Sequence, residues 1–205
     1  MGEAMSNAMD NTKSALSRRQ AVARLLADRD PDLLVISGLG SSSWDVMAAG
    51  DDDRNFYLWG AMGGAAMVGL GLANAQKDKS VLVVTGDGEM TMGLGALATI
   101  AVQRPKNLTI IVLDNGRFGE TGMQMSHTGL GVELDKVAAS LGLAWTANIG
   151  DMAGLDAARE KIRARAGTGL AVVRIGQENP PRILPPRDGV HLKNRFRASL
   201  GFAPN

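Results

Sequence analysis

Two short apolar runs, 80–85 and 108–113, empty into the same kind of turn. The first is followed by Gly86-Asp87-Gly88 and the second by Asp114-Asn115-Gly116. Both runs are rich in Val, Ile and Thr and show no polar alternation. Such runs read as strands buried on both faces, the setting of a parallel sheet. Parallel neighbours need a long crossover, so a helix is expected between them. Open sheets of this kind bind ligands beyond the carboxyl ends of their strands. A carboxylate and an amide, each flanked by glycine, stand there in this sequence.

The rest of the chain keeps the alternation. Ser17 is placed to cap a helix carrying Ala21, Val22, Leu25 and Leu26 on one face. Strand 33–37 leads into a Gly/Ser loop, 38–43, and 56–59 reads as another strand. A small-residue helix spans 62–76, whose Gly69 and Gly71 suit close packing rather than a dinucleotide fingerprint. A helix over 89–104 is stopped by Pro105, with Met90, Met92 and Leu94 assigned to the core. Asp51–Asp53 reads as a solvated turn. Beyond a glycine-rich loop at 127–131, a helix carries Leu134, Val137, Ala138 and Leu141. Strand 143–147, helix 152–166, strand 169–175 and a short helix over 193–200 follow. The pattern predicts an α/β fold: a doubly wound, mostly parallel sheet with helices on both faces. A length of 205 residues suits one domain. We divide it into a flexible N-terminal tail, 1–16, a domain, 17–176, and a C-terminal tail with a short helix, 177–205.

Composition narrows the function. A net charge of +1 with interspersed signs gives no field to attract nucleic acid, and 4% aromatic content leaves few stacking platforms. The absence of cysteine excludes a disulfide scaffold, a thiolate zinc site and a self-contained iron–sulfur cluster. No apolar stretch is long enough for a membrane span, and the first residues lack an apolar signal core, so the expectation is a cytoplasmic protein.

Asp87 and Asn115 are hard oxygen donors suited to magnesium, which prefers to share phosphate oxygens. Glycines beside Asp87 let backbone approach an anion, and the helix beyond offers free N–H groups and its positive dipole end. Together these features describe a site for a magnesium diphosphate.

Gly86-Asp87-Gly88, 26 intervening residues, then Asn115, resembles the signature of thiamine diphosphate enzymes. Their more frequent Asn-Asn ending is Asp114-Asn115 here. The resemblance implies that Asp87, the Asn115 side chain and the Arg117 backbone carbonyl bind Mg2+. Gly86, Gly88 and Glu89 would line the diphosphate, with Phe118 beside them. Leu58-Trp59-Gly60-Ala61-Met62-Gly63 resembles a second segment of the family's decarboxylases. There the Gly60 carbonyl would accept from the aminopyrimidine and Met62 would wedge the bent cofactor, with Ala61 between them. Gly40, Ser41 and Ser42 resemble an earlier loop that touches the phosphates or the ring. Glu120 lies near an acidic active-site position of some members. His127 is a candidate substrate-side acid, with a plain surface histidine as the alternative. Arg117 or Arg104 could meet an anionic substrate tail.

The family activates its cofactor with a glutamate from a separate pyrimidine-binding domain, for which this chain has no room. The resemblance therefore implies a partner, an alpha-type pyrimidine-domain subunit carrying that glutamate, in a heterotetramer or larger assembly. The stretches 95–100, 107–116 and 193–196, with Thr121, Gly122 and Gln124, resemble the sulfopyruvate and phosphonopyruvate decarboxylase group. A beta-type subunit of a 2-oxo acid decarboxylase is the reading implied. The alternatives are a carboligase or 2-oxo acid oxidoreductase subunit using the same cofactor, and a non-catalytic cofactor-binding module.

Overall fold

The computed structural model describes residues 15–203. In chain order its elements begin α1 (Arg18–Leu26), β1 (Leu33–Ser37), α2 (Ser41–Ala48), β2 (Asn55–Tyr57), α3 (Ala65–Ala75), β3 (Ser80–Gly86), α4 (Asp87–Met92) and α5 (Ala96–Gln103). They continue β4 (Leu108–Asp114), β5 (Arg117–Phe118), β6 (Gln124–Met125), α6 (Leu134–Ser140), β7 (Trp145–Ile149), α7 (Met152–Arg163), β8 (Gly169–Arg174) and α8 (Gly189–Ser199).

Six strands form one parallel sheet in the order β2-β1-β3-β4-β8-β7. From β1 the chain moves outward to β2 and then returns to the other side of β1 as β3. That reversal makes a switch point between β1 and β3, where the connecting loops diverge and leave a crevice. The strands are buried on both faces, and alternate residues feed two cores. Leu33, Val35, Leu82, Val84, Ile111 and Val173 meet α1, α2 and α7 on one face. Leu34, Ile36, Val83, Ile110 and Val112 meet α3, α5 and α6 on the other. The doubly wound α/β fold with helices on both faces is as expected. Gly69 lets α3 lie directly on Val83 of the sheet, the packing role expected for it.

Several boundaries differ from the sequence reading, each for a local reason. The Gly/Ser loop after β1 turns into a helix already at Ser41. The helix expected over 89–104 is two helices, α4 and α5. The break comes at Gly93, where a Cβ would stand 2.1 Å from the Gly63 carbonyl oxygen. Two backbones therefore touch at this point. The turn there carries Met92 outward, 61% exposed, so it is not a core residue, whereas Met90 is buried. A small antiparallel hairpin, β5 with β6, had no signal in the sequence.

The first 14 residues of the expected N-terminal tail lie outside the described residues. Leu16, its last residue, forms a parallel bridge with Ile175. The segment from 177 onward packs on the domain. Trp59 Nε1 donates to the Pro186 carbonyl at 2.6 Å, Leu192 and Phe196 are buried, and Phe196 meets Phe56 edge-on. The 51–53 turn is an anchor rather than a merely solvated loop. Asp51 accepts a two-pronged bond from Arg195 at 2.7 and 2.9 Å, tying α8 over edge strand β2. Covering an edge in this way blocks further strand pairing. Among the described residues no helix is long and apolar enough to cross a membrane.

Candidate cofactor cleft

A cleft of about 310 Å³ opens at the carboxyl ends of β1, β3, β4 and β8, across the switch point. Its walls bring together most of the residues singled out from sequence: Ser41, Ser42, Met62, Gly86, Asp87, Gly88, Glu89, Asn115, Arg117, Phe118 and Glu120. Gly60 and Ala61 are exposed beside Met62 and stay outside the lining. Gly40 lies under the Glu120 side chain. His127 is exposed, outside the lining, and meets only the edge of the Phe118 ring among aromatic partners. Arg104 sits at the opposite end of the strands, with Lys106 and Thr168, and cannot reach a ligand in this cleft.

Asp87 is the best-defined group. It opens α4, is 3% exposed, and its Oδ2 accepts from the Ser126 hydroxyl and, at 3.0 Å, from Thr128 Oγ1. Ser126 and Thr128 contact each other at 2.9 Å, and Thr128 also lies 2.7 Å from Asp114 Oδ1. Asp114 in turn receives the Gly116 N–H at 2.9 Å and Arg174 Nη1 at 2.5 Å. Burial pushes the Asp87 carboxyl above the usual carboxylate range, and the Asp114 charge adds to this, while the two hydroxyls pull it back. Two buried carboxylates thus lie against one threonine hydroxyl, and among the described residues Asp114 alone of the two has an arginine partner.

Asn115 turns back on itself, its Oδ1 accepting from the Arg117 N–H at 2.9 Å. One edge of the Phe118 ring packs on Gly88, where a Cβ would meet it at 2.6 Å, so Gly88 admits the ring to the cleft wall. Helices α4 and α2 both begin at the cleft, and their first-turn N–H groups have no helical partner. Because α4 has only six residues, these N–H groups matter more than its dipole.

Glu89 is buried at 5% exposure. Its Oε2 accepts from Thr85 Oγ1 at 2.8 Å, and Oε1 has no hydrogen-bond partner. Burial raises its carboxyl above the ordinary range, while Thr85 and the facing backbone N–H groups of Gly63, Leu39 and Ala65 lower it.

The donor set fits a magnesium diphosphate. Among the described residues no three His, Cys, Asp or Glu side chains cluster for a metal. A set of one carboxylate, one amide oxygen and one carbonyl leaves coordination sites for phosphate oxygens, as magnesium prefers. A buried Asp87 whose Oδ1 receives no side-chain donor among the described residues suits a cation there.

The sequence does not single out Ser126, Thr128 or Arg174, and it does not reveal the link from Asp114 to Thr128 and Arg174. Their only sequence signal is a pair of hydroxyls flanking His127 in a glycine-rich loop. Replacing Thr128 by valine keeps the shape and removes the shared hydroxyl. Urea unfolding should show a loss of about 1.5–3 kcal/mol, the cost of a hydrogen bond to a charged group. Unchanged stability would mean the two carboxylates do not depend on the bridge.

Residues 44–175 match the family model for the thiamine pyrophosphate enzyme C-terminal TPP binding domain. The chain belongs to this family, whose cofactor is the same compound as thiamine diphosphate. Within it, the chain is 42% identical over 110 residues to sulfopyruvate decarboxylase subunit beta of Methanocaldococcus jannaschii, covering 54% of this chain and 58% of the relative. It is 33% identical over 190 residues to sulfopyruvate decarboxylase of Methanosarcina acetivorans, covering 92% and 48%. Subunit beta of the Methanococcus maripaludis enzyme is 30% identical over 185 residues, covering 89% and 97%. The chain thus spans only about half the length of the first two relatives. Benzoylformate decarboxylase from Polynucleobacter necessarius shares the fold, with a TM-score of 0.68 at 18% identity, covering 84% of this chain and 35% of that one.

Proposed function

We propose that this chain is the diphosphate- and magnesium-holding subunit of a thiamine diphosphate-dependent 2-oxo acid decarboxylase of the sulfopyruvate type. The observation that carries the reading is buried Asp87 at the switch point, lining one cleft with Asn115 and Arg117. Bound thiamine diphosphate supplies a nucleophilic carbon and an electron sink. The protein's part is to bind and orient it. Asp87, Asn115 and the Arg117 carbonyl hold Mg2+. Gly86, the Gly88 and Glu89 N–H groups, and Gly40, Ser41 and Ser42 receive the phosphates. Gly60, Ala61 and Met62 serve the ring end, with Phe118 as a wall. Glu120 and His127 remain candidates for proton transfer to substrate, His127 only if Phe118 lets it swing inward.

The activating glutamate is assigned to a pyrimidine-domain subunit of alpha type, in a heterotetramer or larger assembly. Three observations support this. Glu89 is buried and tied to Thr85. Glu133 is exposed and paired with Lys136. The cleft lining includes exposed Met62 and Met123, an adaptable apolar surface suited to a covering chain. The Methanosarcina relative, sulfopyruvate decarboxylase, is about twice as long as the segment matched here, while the Methanococcus subunit beta is matched almost completely.

The test is a panel of small 2-oxo acids, with thiamine diphosphate and Mg2+, given to this chain co-expressed with the product of the neighbouring reading frame. Aldehyde and carbon dioxide should appear without an added acceptor. Release only with an electron acceptor would replace decarboxylation by oxidation, and a carbon–carbon coupled product would make it a carboligase.

A further inference from the structure

The cleft has a charged wall that none of these assignments uses. Arg18, at the start of α1, lines the cleft beside Ser42 and Trp44 yet is only 5% exposed. Its Nε stands 3.1 Å from Asp45 Oδ2, outside hydrogen-bonding alignment, and its Nε and Nη2 have no hydrogen-bond partner. Asp45 is fully buried and already receives Arg19 Nε at 3.2 Å, while Arg19 also donates to the Pro181 carbonyl at 2.8 Å. Asp45 is therefore shared by two guanidiniums, and Arg18 is the one left with free donors. A guanidinium carries five N–H donors in a planar fork matched to phosphate or carboxylate. Burying such a group with donors unfilled is costly unless an anion completes it.

The neighbourhood says which anion. Ser41 and Ser42, at the start of α2, add hydroxyls and first-turn N–H groups with no helical partner to the same wall. Arg182 lies over the Trp44 ring at 4.6 Å and lines the cleft as well, as does Glu178. Of the charged residues on this wall Arg18 alone is buried, whereas Arg182 and Glu178 are exposed. Met62 and Met123, which also line the cleft, are 44% and 39% exposed.

We propose that Arg18, with Ser41 and Ser42, forms the site for the terminal phosphate of the diphosphate, so that this chain distinguishes a diphosphate from a monophosphate. The proposal rests on the thiamine diphosphate reading and adds a positioning residue to it. Asp45 orients the Arg18 fork, and the terminal phosphate fills its remaining donors.

The test is calorimetric titration of the full chain in Mg2+ with thiamine diphosphate, thiamine monophosphate and inorganic pyrophosphate. The wild-type chain should prefer the diphosphate over the monophosphate, and inorganic pyrophosphate should compete with it. In Arg18→Gln that preference should shrink at least ~10-fold, the scale of a charged hydrogen bond, with monophosphate affinity little changed. Arg18→Lys, which keeps the charge without the fork, should recover part of it. If Arg18→Gln does not fold, Arg18→Gln/Asp45→Asn removes the carboxylate along with its partner and carries the same comparison. Equal weakening of both thiamine ligands, or an unchanged preference, would overturn the Arg18 assignment and leave the cofactor reading intact. Wild-type protein with no Mg2+-dependent affinity for thiamine diphosphate would overturn both.

Discussion

Asp87→Ala is expected to abolish Mg2+-dependent binding of thiamine diphosphate while the fold survives. Asp87 is the only carboxylate in the magnesium set, so its loss leaves two neutral oxygens for a doubly charged, strongly hydrated ion. Truncating one partner of a buried charge pair costs about 2–5 kcal/mol, roughly a 30-fold loss of affinity or more. The fold should tolerate the change for reasons visible around the residue. Ser126 and Thr128 contact each other, and Thr128 keeps its bond to Asp114. Removing Asp87 also removes a like charge close to Asp114. Calorimetric titration with and without Mg2+, beside a thermal melt, reads both parts. Unchanged affinity would contradict the assignment of Asp87 as the metal ligand.

Gly93→Ala should destabilise the protein markedly. The added Cβ would meet the Gly63 carbonyl oxygen at 2.1 Å and its carbonyl carbon at 2.8 Å. Both are backbone, so no side chain can swing aside. Gly63 has φ +84° and is itself committed to its turn. Overpacking of this kind costs about 1–3 kcal/mol, and a melting point lower by roughly 2–4 °C per kcal/mol is expected for a chain of this size. The strain falls on the joint between α4 and the 60–63 turn, so cofactor affinity should fall with stability. Gly95→Ala, two residues on, is the control, because a Cβ there meets nothing within 4 Å. Equal melting points for the two variants would show that the Gly93–Gly63 contact yields easily.

The parts of this structure that were legible in the sequence are those set by local pattern. Runs 80–85 and 108–113 had to be interior parallel strands because nothing in them alternates. Glycine, Asp and Asn at their ends marked the ligand side. The unread parts depend on contacts distant in sequence. Gly93 ends α4 because Gly63, thirty residues earlier in number, lies against it. Ser41 starts a helix although a Gly/Ser run has the composition of a loop. Met92 was assigned to the core by its neighbours, but the helix break turns it to the surface. Ser126 and Thr128 gain their importance only when the loop after β6 folds back over Asp87. Arg18 has no signal in the sequence, and it is the fold that buries it beside Asp45.

On the proposed reading this chain holds one half of an active site and a second chain holds the other. The direct measurement is a complementation titration at saturating thiamine diphosphate and Mg2+, with this chain fixed and its co-expressed partner added. Decarboxylation should be absent for either chain alone, rise with added partner and level off at a fixed stoichiometric ratio. Substituting glutamine for the partner's activating glutamate should eliminate turnover without preventing assembly. Turnover by this chain alone, or an assembled complex that retains no cofactor, would contradict the claim.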